Sequence, residues 1–420
     1  MGVFSESVRN YSLPNMVQVR QVFDDSCIAD AYSTCMFEIG KVYNKDMFSK
    51  GQTVAITIGS RGVSNILEIA KAVVDFCFSK GAFPFIVPAM GSHGGATAEG
   101  QQEILADYGI TEEAVGCPIK SCMDTVVLGE LDGMKIHMDK KAYEADCTIV
   151  LNRVKPHTAF RGEYESGLMK MIAIGLGKQV GAESCHSFGF GKMAEMIPKY
   201  ANYVLDHANI IMGIAIIENA YKHTAEIVAM KASEIASKEP SLLKKAKMLM
   251  PRILFDDLDV LIIDRIGKNY SGDGHDPNIS GRFLTPYAKG GVKCQKMVIL
   301  DLSDETHGNG CGIGLGDITT TKAIQKLDFE KMRANAITNK VLASASIPIW
   351  ADNDHDAICV ALKTCVIGNG RRPRVVRIKN TSDINLIWIS EELINDALEI
   401  PNIEIIGEPQ CFSFDGEGNL

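Results

Sequence analysis

The sequence lacks the features of membrane and secreted proteins. No apolar run reaches the roughly 18–20 residues that a membrane span requires. The first residues, MGVFSESVRN, contain neither the basic stretch nor the apolar core of a secretory signal. We therefore expect a cytoplasmic protein with no membrane partner.

Basic patches typical of nucleic-acid binding are also missing. The formal net charge is −9, and no stripe of Lys and Arg is interleaved with aromatic residues. Since binding to the phosphate backbone depends on such positive charge, the sequence argues against a nucleic-acid partner.

The cysteines do not form a metal-binding or disulfide pattern. There are twelve, but no CxxC, and the nearest pairs are Cys117/Cys122 and Cys359/Cys365. Scattered cysteines in a long cytoplasmic chain are usually small core residues, and that is our expectation here. Cys185 is the exception to examine, because it is adjacent to His186.

Several standard catalytic motifs are absent. GLGKQ (175–179) has Gln where a phosphate-binding loop needs Ser or Thr, and GFGKMAEM lacks the third glycine of GxGxxG. Neither HExxH nor GxSxG occurs. The absence of these motifs does not exclude a catalytic lysine that forms a Schiff base with the substrate.

What the sequence does contain is an α/β pattern. VAITIG (54–59) and FPFIVPA (83–89) have the length and composition of buried strands, and 64–81 between them has helical apolar spacing with a terminal Gly. This βαβ unit predicts a parallel sheet. Further strands are expected at 147–152, 210–217 and 259–264, and helices at 193–206 and 231–249.

A charged, proline-containing passage (237–257) suggests a domain boundary near residue 250. Beyond it we predict strands at 297–302 and 373–378, a glycine-rich loop at 308–317 and a long helix at 319–343. The expected fold is α/β with two α/β domains, 1–250 and 251–420, the first with a largely parallel sheet. The site is expected in the cleft between them.

Polar residues follow three of the predicted strands. Arg61, His93 and His157 each come shortly after a strand ends, where sites form in open α/β sheets. Singly, Arg61 is also explained as a surface charge or by a salt bridge to Asp75, His93 as a turn residue, and His157 by a structural role. Together they favour a site.

Lys170 and His186 lie in one glycine-rich segment. They are sixteen residues apart, which in a continuous helix would separate them by about 24 Å. Gly175, Gly177 and Gly181 disfavour such a helix. The chain can therefore fold back and bring both side chains to one ligand.

These residues resemble the nickel-dependent lactate racemase family. The similarity lies in Arg61, the MGSHGG loop, KPH (155–157), and Lys170 followed by His186, within residues 50–190 or so. It implies that a nickel-pincer nucleotide is tethered to Lys170 and that His186 coordinates its nickel. It also implies that His93 and His157 act as paired acid/bases and that Arg61 holds the substrate carboxylate.

The family's substrates imply a 2-hydroxy acid, but this sequence departs from the family pattern. Only the Arg of the usual DHTRP-like run is retained in IGSRG, and RGEYES (161–166) lengthens the segment before Lys170. The substrate is left open among lactate-, malate- and sugar-acid-like molecules. Arg161 is a candidate for a second substrate carboxylate or hydroxyl, with a surface role equally open.

In the second domain, Lys268 is a candidate substrate contact from the loop 264–282, whereas structural or exposed roles are expected for His275, His307 and His355. The leading function is a racemase or epimerase that needs cofactor-synthesis enzymes for maturation. The alternatives are an NAD-dependent 2-hydroxy-acid dehydrogenase and a non-catalytic nickel-cofactor-binding protein. The sequence leaves open whether the protein forms a homo-oligomer.

Overall fold

The computed structural model describes residues 6–60, 62–368 and 370–420. The chain forms two compact units. One consists of Asp24–Met250, and the other combines the described residues up to Phe23 with Pro251–Leu420. Within the described residues, no helix is both long and apolar enough to cross a membrane.

Both units are built from strands and helices. The strands are β1 (Met16–Gln21), β2 (Thr53–Ile58), β3 (Phe83–Pro88), β4 (Thr125–Leu131), β5 (Met134–Asp139), β6 (Cys147–Arg153), β7 (Ile210–Glu218), β8 (Thr224–Lys231), β9 (Leu258–Ile266), β10 (Cys294–Leu302), β11 (Ile318–Thr320), β12 (Ile349–Ala351), β13 (Val375–Ile378), β14 (Leu386–Ser390) and β15 (Ile403–Gln410).

The α-helices are α1 (Glu6–Arg9), α2 (Ala31–Val42), α3 (Ile66–Ser79), α4 (Ala98–Asp107), α5 (Glu112–Val115), α6 (Lys140–Glu144), α7 (Leu168–Lys170), α8 (Lys178–His186), α9 (Met193–His207), α10 (Ile235–Leu249), α11 (Pro277–Ser280), α12 (Thr321–Gln325), α13 (Phe329–Thr338), α14 (Asp354–Thr364) and α15 (Ile394–Glu399).

The unit of residues 24–250 contains a five-stranded sheet in the order β3-β2-β6-β7-β8. All neighbouring pairs are parallel except β7 and β8. The predicted βαβ unit is confirmed: β2 and β3 are parallel neighbours, and α3 connects them. The strands predicted at 147–152 and 210–217 are β6 and β7.

Both faces of this sheet are buried, which explains the nearly continuous apolar composition of its strands. In β2, Ala55 belongs to one core cluster, whereas Val54 and Ile56 belong to the other. Alternate side chains of a strand point to opposite faces, so the two clusters lie on opposite sides of the sheet. The helices α3 and α9 bury apolar residues in one cluster each.

The other unit contains an eight-stranded sheet in the order β12-β11-β10-β9-β13-β14-β1-β15. The strands from β12 to β13 are parallel, and the remaining pairs are antiparallel. β1 lies between β14 and β15, which is why the N-terminal segment belongs to this unit. The sequence-based boundaries, 1–250 and 251–420, had placed it in the first domain. Two α/β units, each with a largely parallel sheet region, agree with the predicted fold class.

The prediction of one long helix at 319–343 is wrong. Residues 318–320 form β11, and two shorter helices, α12 and α13, follow. The side chain of Thr320 accepts a hydrogen bond from Ala323 N, and Asp328 accepts from Glu330 N and Lys331 N. Each is a side-chain cap that begins a new helix, so the apolar periodicity of this region comes from two helices.

Candidate functional site

The loops after β2 and β3 meet at His93. These parallel strands end at the same edge of the sheet, and their loops place the hydroxyl of Ser60 in hydrogen-bond contact with Nδ1 of His93. The hydroxyl of Tyr108 in turn donates to the carbonyl of Ser60 (2.9 Å). Ser60 therefore orients the imidazole of His93. The sequence analysis had identified His93 as a site residue but not Ser60. Arg61 lies outside the described residues.

The backbone of the His93 loop is fixed by close packing on α4. His93 N donates to the Met90 carbonyl (3.1 Å), and Gly94 has φ +65°. A Cβ on Gly94 would lie 2.6 Å from Gln101 N, so this position requires glycine. The MGSHGG loop thus holds His93 in a defined backbone conformation while its side chain stays exposed.

His157 follows β6 at the same edge of the sheet and is half-buried. Burial is the main cause that holds the pKa of His157 well below its usual range, and the positive charges of Lys170, Lys155 and His186 add to it. Nδ1 of His157 accepts a hydrogen bond from Ala159 N (3.0 Å). The neutral ring therefore carries its proton on Nε2.

Lys170 and His186 lie on two separate helical segments. Lys170 ends α7, a π-helical turn follows at Met171–Gly175, and His186 ends α8. Lys178 at the start of α8 has φ +54°, which interrupts the helix. The predicted break between Lys170 and His186 is confirmed.

These side chains and His157 belong to one cluster. The charges of Lys170 and His186 both act on the His157 ring. The ring of Phe190 is near both imidazoles, with its centroid 6.3 Å from that of His157 and 5.7 Å from that of His186. The segment also reaches the His93 loop, because Gly91 N donates to the Gly175 carbonyl (3.2 Å). The structure therefore brings together His157, Lys170 and His186, and it joins the loop of His93 to their segment through the backbone.

The RGEYES insertion anchors the His157 loop. Glu165 is fully buried, and its carboxylate accepts hydrogen bonds from His157 N (2.8 Å) and Lys247 Nζ (2.6 Å). Arg161 donates to the carbonyls of His157 (2.5 Å) and Phe160 (3.1 Å). The guanidinium considered for a substrate carboxylate thus holds backbone within its own loop.

Cys185, despite its position next to His186, is a core residue. It is fully buried, its Sγ lies 3.7 Å from Sδ of Met193, and burial raises the pKa of the thiol to about 12. All twelve cysteines are free, as expected from their spacing. A protonated, enclosed thiol is not available as a metal ligand.

The candidates in the other unit have defined surroundings. Lys268 Nζ donates to the Gly272 carbonyl and to Oδ1 of Asn335 (2.7 Å). His275 is fully buried, with Nδ1 2.9 Å from Oγ of Ser280, and burial lowers its pKa to about 4. His307 is exposed and His355 is half-buried. These surroundings agree with the structural or exposed roles expected for His275, His307 and His355.

Three residues of the site were missed from the sequence: Ser60, Glu165 and Phe190. Nothing in the local pattern identifies Glu165 as buried, because it lies in a polar, glycine-containing stretch. Ser60 had one available signal, since it follows β2 next to Arg61, at a strand end that the sequence analysis had already identified as a place for a site.

Comparison with known proteins gives weak similarities. A family model described as "Domain of unknown function (DUF362)" matches residues 59–246. No curated protein matches significantly. Among solved structures, the lactate racemase apoprotein from Thermoanaerobacterium thermosaccharolyticum is 16% identical, with 68% of this chain and 74% of that chain covered and a TM-score of 0.48. A structural genomics target from Thermotoga maritima is 12% identical, with 75% and 81% covered and a TM-score of 0.48. At these values, function has to be argued from the residues of the site.

Proposed function

We propose that this chain is a racemase or epimerase of a 2-hydroxy acid that binds a nickel-pincer nucleotide at Lys170. One observation supports the proposal most strongly. The imidazoles of His157, the expected acid/base, and His186, the expected metal ligand, both lie against the ring of Phe190, and the charge of Lys170, the expected tether, helps to lower the pKa of His157. Three residues that the proposed chemistry needs thus share one cluster.

The residue types of this cluster suit such a cofactor. The lysine amine of Lys170 can form a covalent link, and the imidazole of His186 is a good ligand for Ni²⁺. The described residues contain no group of three or more His, Cys, Asp and Glu side chains that could hold a metal ion. A cofactor that brings its own donors needs only one protein ligand. When bound, this group would supply a reversible acceptor for the hydride on the substrate's Cα.

The charges of the cluster favour an acid as substrate. Besides Lys170 and His186, which the cofactor would engage, the charges that act on His157 are those of Lys155 and Arg161. Charges that disfavour an imidazolium there attract a carboxylate to the same place. This supports a 2-hydroxy acid as the substrate class, and Arg61 and Lys268 stay predicted as additional contacts to it.

The two histidines would move the proton of the substrate hydroxyl. Loss of that proton and of the Cα hydride converts the substrate to a planar 2-keto acid, and return of both to the opposite face inverts the carbon. His93 can act as a base at Nε2 when its Nδ1–H donates to Ser60. His157 presents Nε2–H in its neutral form, so to act as a base it must first adopt the other tautomer and lose the Ala159 contact.

The test of cofactor binding is co-expression with the cofactor-synthesis enzymes, followed by intact mass and metal analysis. We expect a covalent adduct and bound nickel in the wild type and no adduct in Lys170→Ala. His186→Ala should carry the adduct but contain less bound nickel than the wild type. Lys192→Ala, an exposed lysine of the same segment, is the control and should keep both. Absence of adduct and nickel, while a known lactate racemase matures in the same cells, would rule out the proposal.

The test of proton transfer is the first half-reaction, measured as 2-keto acid formed in a single turnover from each enantiomer. A variant cannot change the equilibrium constant between the two enantiomers, so kcat/KM must fall by the same factor in both directions of the overall reaction. Only the rate of keto acid formation from each enantiomer distinguishes the two bases. We expect His93→Gln to slow it about 100-fold or more for one enantiomer and His157→Gln for the other. Stoichiometric NADH formation without inversion would instead indicate the dehydrogenase.

A further inference from the structure

A fully buried lysine lies between the elements that carry the candidate site. Lys178 is part of GLGKQ, which is not a phosphate-binding loop, and its side chain has no exposed surface. Its backbone is left-handed, with φ +54°. A buried charge and a left-handed backbone at a residue with a side chain are both unfavourable, so the surroundings of Lys178 have to hold it in place.

The ammonium group of Lys178 has a partner on each of three elements. Nζ lies 3.0 Å from Oδ2 of Asp139 at the end of β5, and it donates to Oε1 of Gln101 on α4 (3.0 Å) and to the carbonyl of Pro88 at the end of β3. Three partners use all three donors of an ammonium group. Lys178 therefore joins the end of β3, from which the His93 loop starts, to the helix that ends at His186.

Gln101 extends this connection to His93 itself. Gln101 is fully buried, and its Nε2 donates to the carbonyls of Gly91 (2.9 Å) and His93 (3.3 Å). An ammonium group can only donate, so Lys178 forces the oxygen of the Gln101 amide toward itself. The amide nitrogen is then directed at the His93 loop.

Asp139 fixes the other side of the network. Its Oδ1 accepts from Ala142 N (2.9 Å), and its own backbone N donates to the Leu176 carbonyl (2.6 Å), two residues before Lys178. Burial raises the pKa of Asp139, and the nearby Lys178 ammonium opposes this. Both charged groups are thus held by backbone as well as by each other.

We propose that Lys178 is a positioning residue for His93, acting through Gln101 to hold the His93 loop against the segment that carries Lys170 and His186. The inference rests on the proposed function only for its effect on turnover, since the position of His93 can be measured without cofactor or substrate. The competing explanation is a purely structural ion pair, whose two members can often be replaced together by apolar residues without loss of stability.

The test is the state of the His93 imidazole in the apoprotein, read from ¹⁵N chemical shifts of labelled histidine and assigned with His93→Gln. We expect folded Lys178→Met to show changed Nδ1 and Nε2 shifts for His93 and a displaced titration midpoint. Gln101→Met should give the same changes with the ion pair intact, so it decides the question if Lys178→Met does not fold. Unchanged His93 signals in Gln101→Met, or in a folded Lys178→Met, would overturn the proposal.

Two further variants separate positioning from stability. Lys178→Met/Asp139→Asn removes the charge of the pair but keeps the oxygen that caps Ala142, so it should regain stability relative to Lys178→Met without restoring the His93 signals. Ile39→Ala, a fully buried position on α2, should lower stability and leave His93 unchanged. Restored His93 signals in the double variant would mean that the unpaired charge, and not the lost donor, had disturbed the loop.

The effect on turnover is a separate arm. If the proposed function holds, Lys178→Met should slow keto acid formation from the enantiomer that needs His93 by about 10- to 100-fold, as expected for a misplaced catalytic group. The other enantiomer should be less affected. If cofactor-loaded protein shows no activity at all, the proposed function fails, and the imidazole measurement still decides the role of Lys178.

Discussion

At the scale of single residues, Glu239 shows how a buried carboxyl group supports the helix that ends at Lys170. It has no exposed surface, and its Oε2 accepts from Met169 N (2.8 Å) in the one-turn helix that ends at Lys170. A Cβ at Gly167 would lie 2.2 Å from its Oε1, so the glycine before the helix makes room for the carboxylate. Glu239 thus caps the first amides of the helix that holds Lys170.

We predict that Glu239 makes stability depend on pH. Burial raises its pKa from 4.5 to about 7, so the folded state binds this proton more tightly than the unfolded state. The stabilisation is complete below about pH 4.5 and is lost as pH rises through about 7, a change of roughly 3 kcal/mol. Urea unfolding at pH 5 and pH 8 measures it.

Glu239→Gln provides the comparison, because it keeps an acceptor for Met169 N and cannot titrate. The wild type should lose stability relative to this variant between pH 5 and pH 8. Glu183→Gln, at an exposed position on α8, should follow the wild type. Parallel curves for the wild type and Glu239→Gln would show that the Glu239 carboxyl is already ionised in the folded protein at pH 5.

Residue types and strand ends made part of the site predictable. His93 and His157 were identified because they follow predicted strands, and Lys170 and His186 because of their glycine-rich segment and the family resemblance. These signals are local in the sequence. Lys178, Glu165 and Glu239 were not identified, because their roles depend on complete burial among partners far away in the chain. Sequence patterns do not distinguish such a buried charge from an exposed one.

At the scale of elements, the MGSHGG loop depends on two adjacent glycines that differ in their surroundings. Gly94 (φ +65°) and Gly95 (φ +63°) both have left-handed backbone. A Cβ on Gly94 would meet the backbone of Gly100 and Gln101 at 2.6 Å, whereas nothing lies within 4 Å of one on Gly95. Alanine substitutions at the two positions therefore distinguish the free-energy cost of the left-handed backbone, which both share, from that of the steric clash, which occurs only at Gly94.

We predict that Gly95→Ala lowers stability by about 1–2 kcal/mol, the usual cost of a left-handed alanine. Gly94→Ala should cost clearly more and should also shift the His93 imidazole signals, because the loop must move away from α4. Thermal unfolding and ¹⁵N histidine spectra measure the two effects. Equal destabilisation by the two variants would mean that the loop rearranges without strain.

The elements themselves were predictable where their periodicity was local and uninterrupted. β2, α3 and β3 were placed to within about two residues of the observed ends. The region 319–343 was misassigned because apolar residues on two consecutive helices mimic one long helix. The short hairpin of β4 and β5 was missed, since several of its residues are only partly buried and its strands lack a clear alternation.

At the scale of the whole molecule, the unit that contains residues 251–420 is discontinuous in sequence. β1 lies inside its sheet, with Val17 and Val19 buried. The buried side chain of Gln21 also donates to the Ile384 carbonyl (2.6 Å) and accepts from Leu254 N (2.8 Å). Pairing between strands hundreds of residues apart leaves no local signal, so the sequence could not assign residues 6–23 to this unit.

We therefore predict that residues 251–420 alone do not form a cooperatively folded unit, because β14 and β15 would lack the strand that pairs with both. Residues 24–250 contain their complete sheet and both core clusters, so that fragment should unfold cooperatively. Adding a peptide of residues 10–23 to the 251–420 fragment should restore a sharp thermal transition, measured by circular dichroism. The same peptide with Val19→Asp should not, since it would bury a charge at a fully enclosed position. A sharp transition of the 251–420 fragment without peptide would show that β1 only adds to a sheet that is already stable.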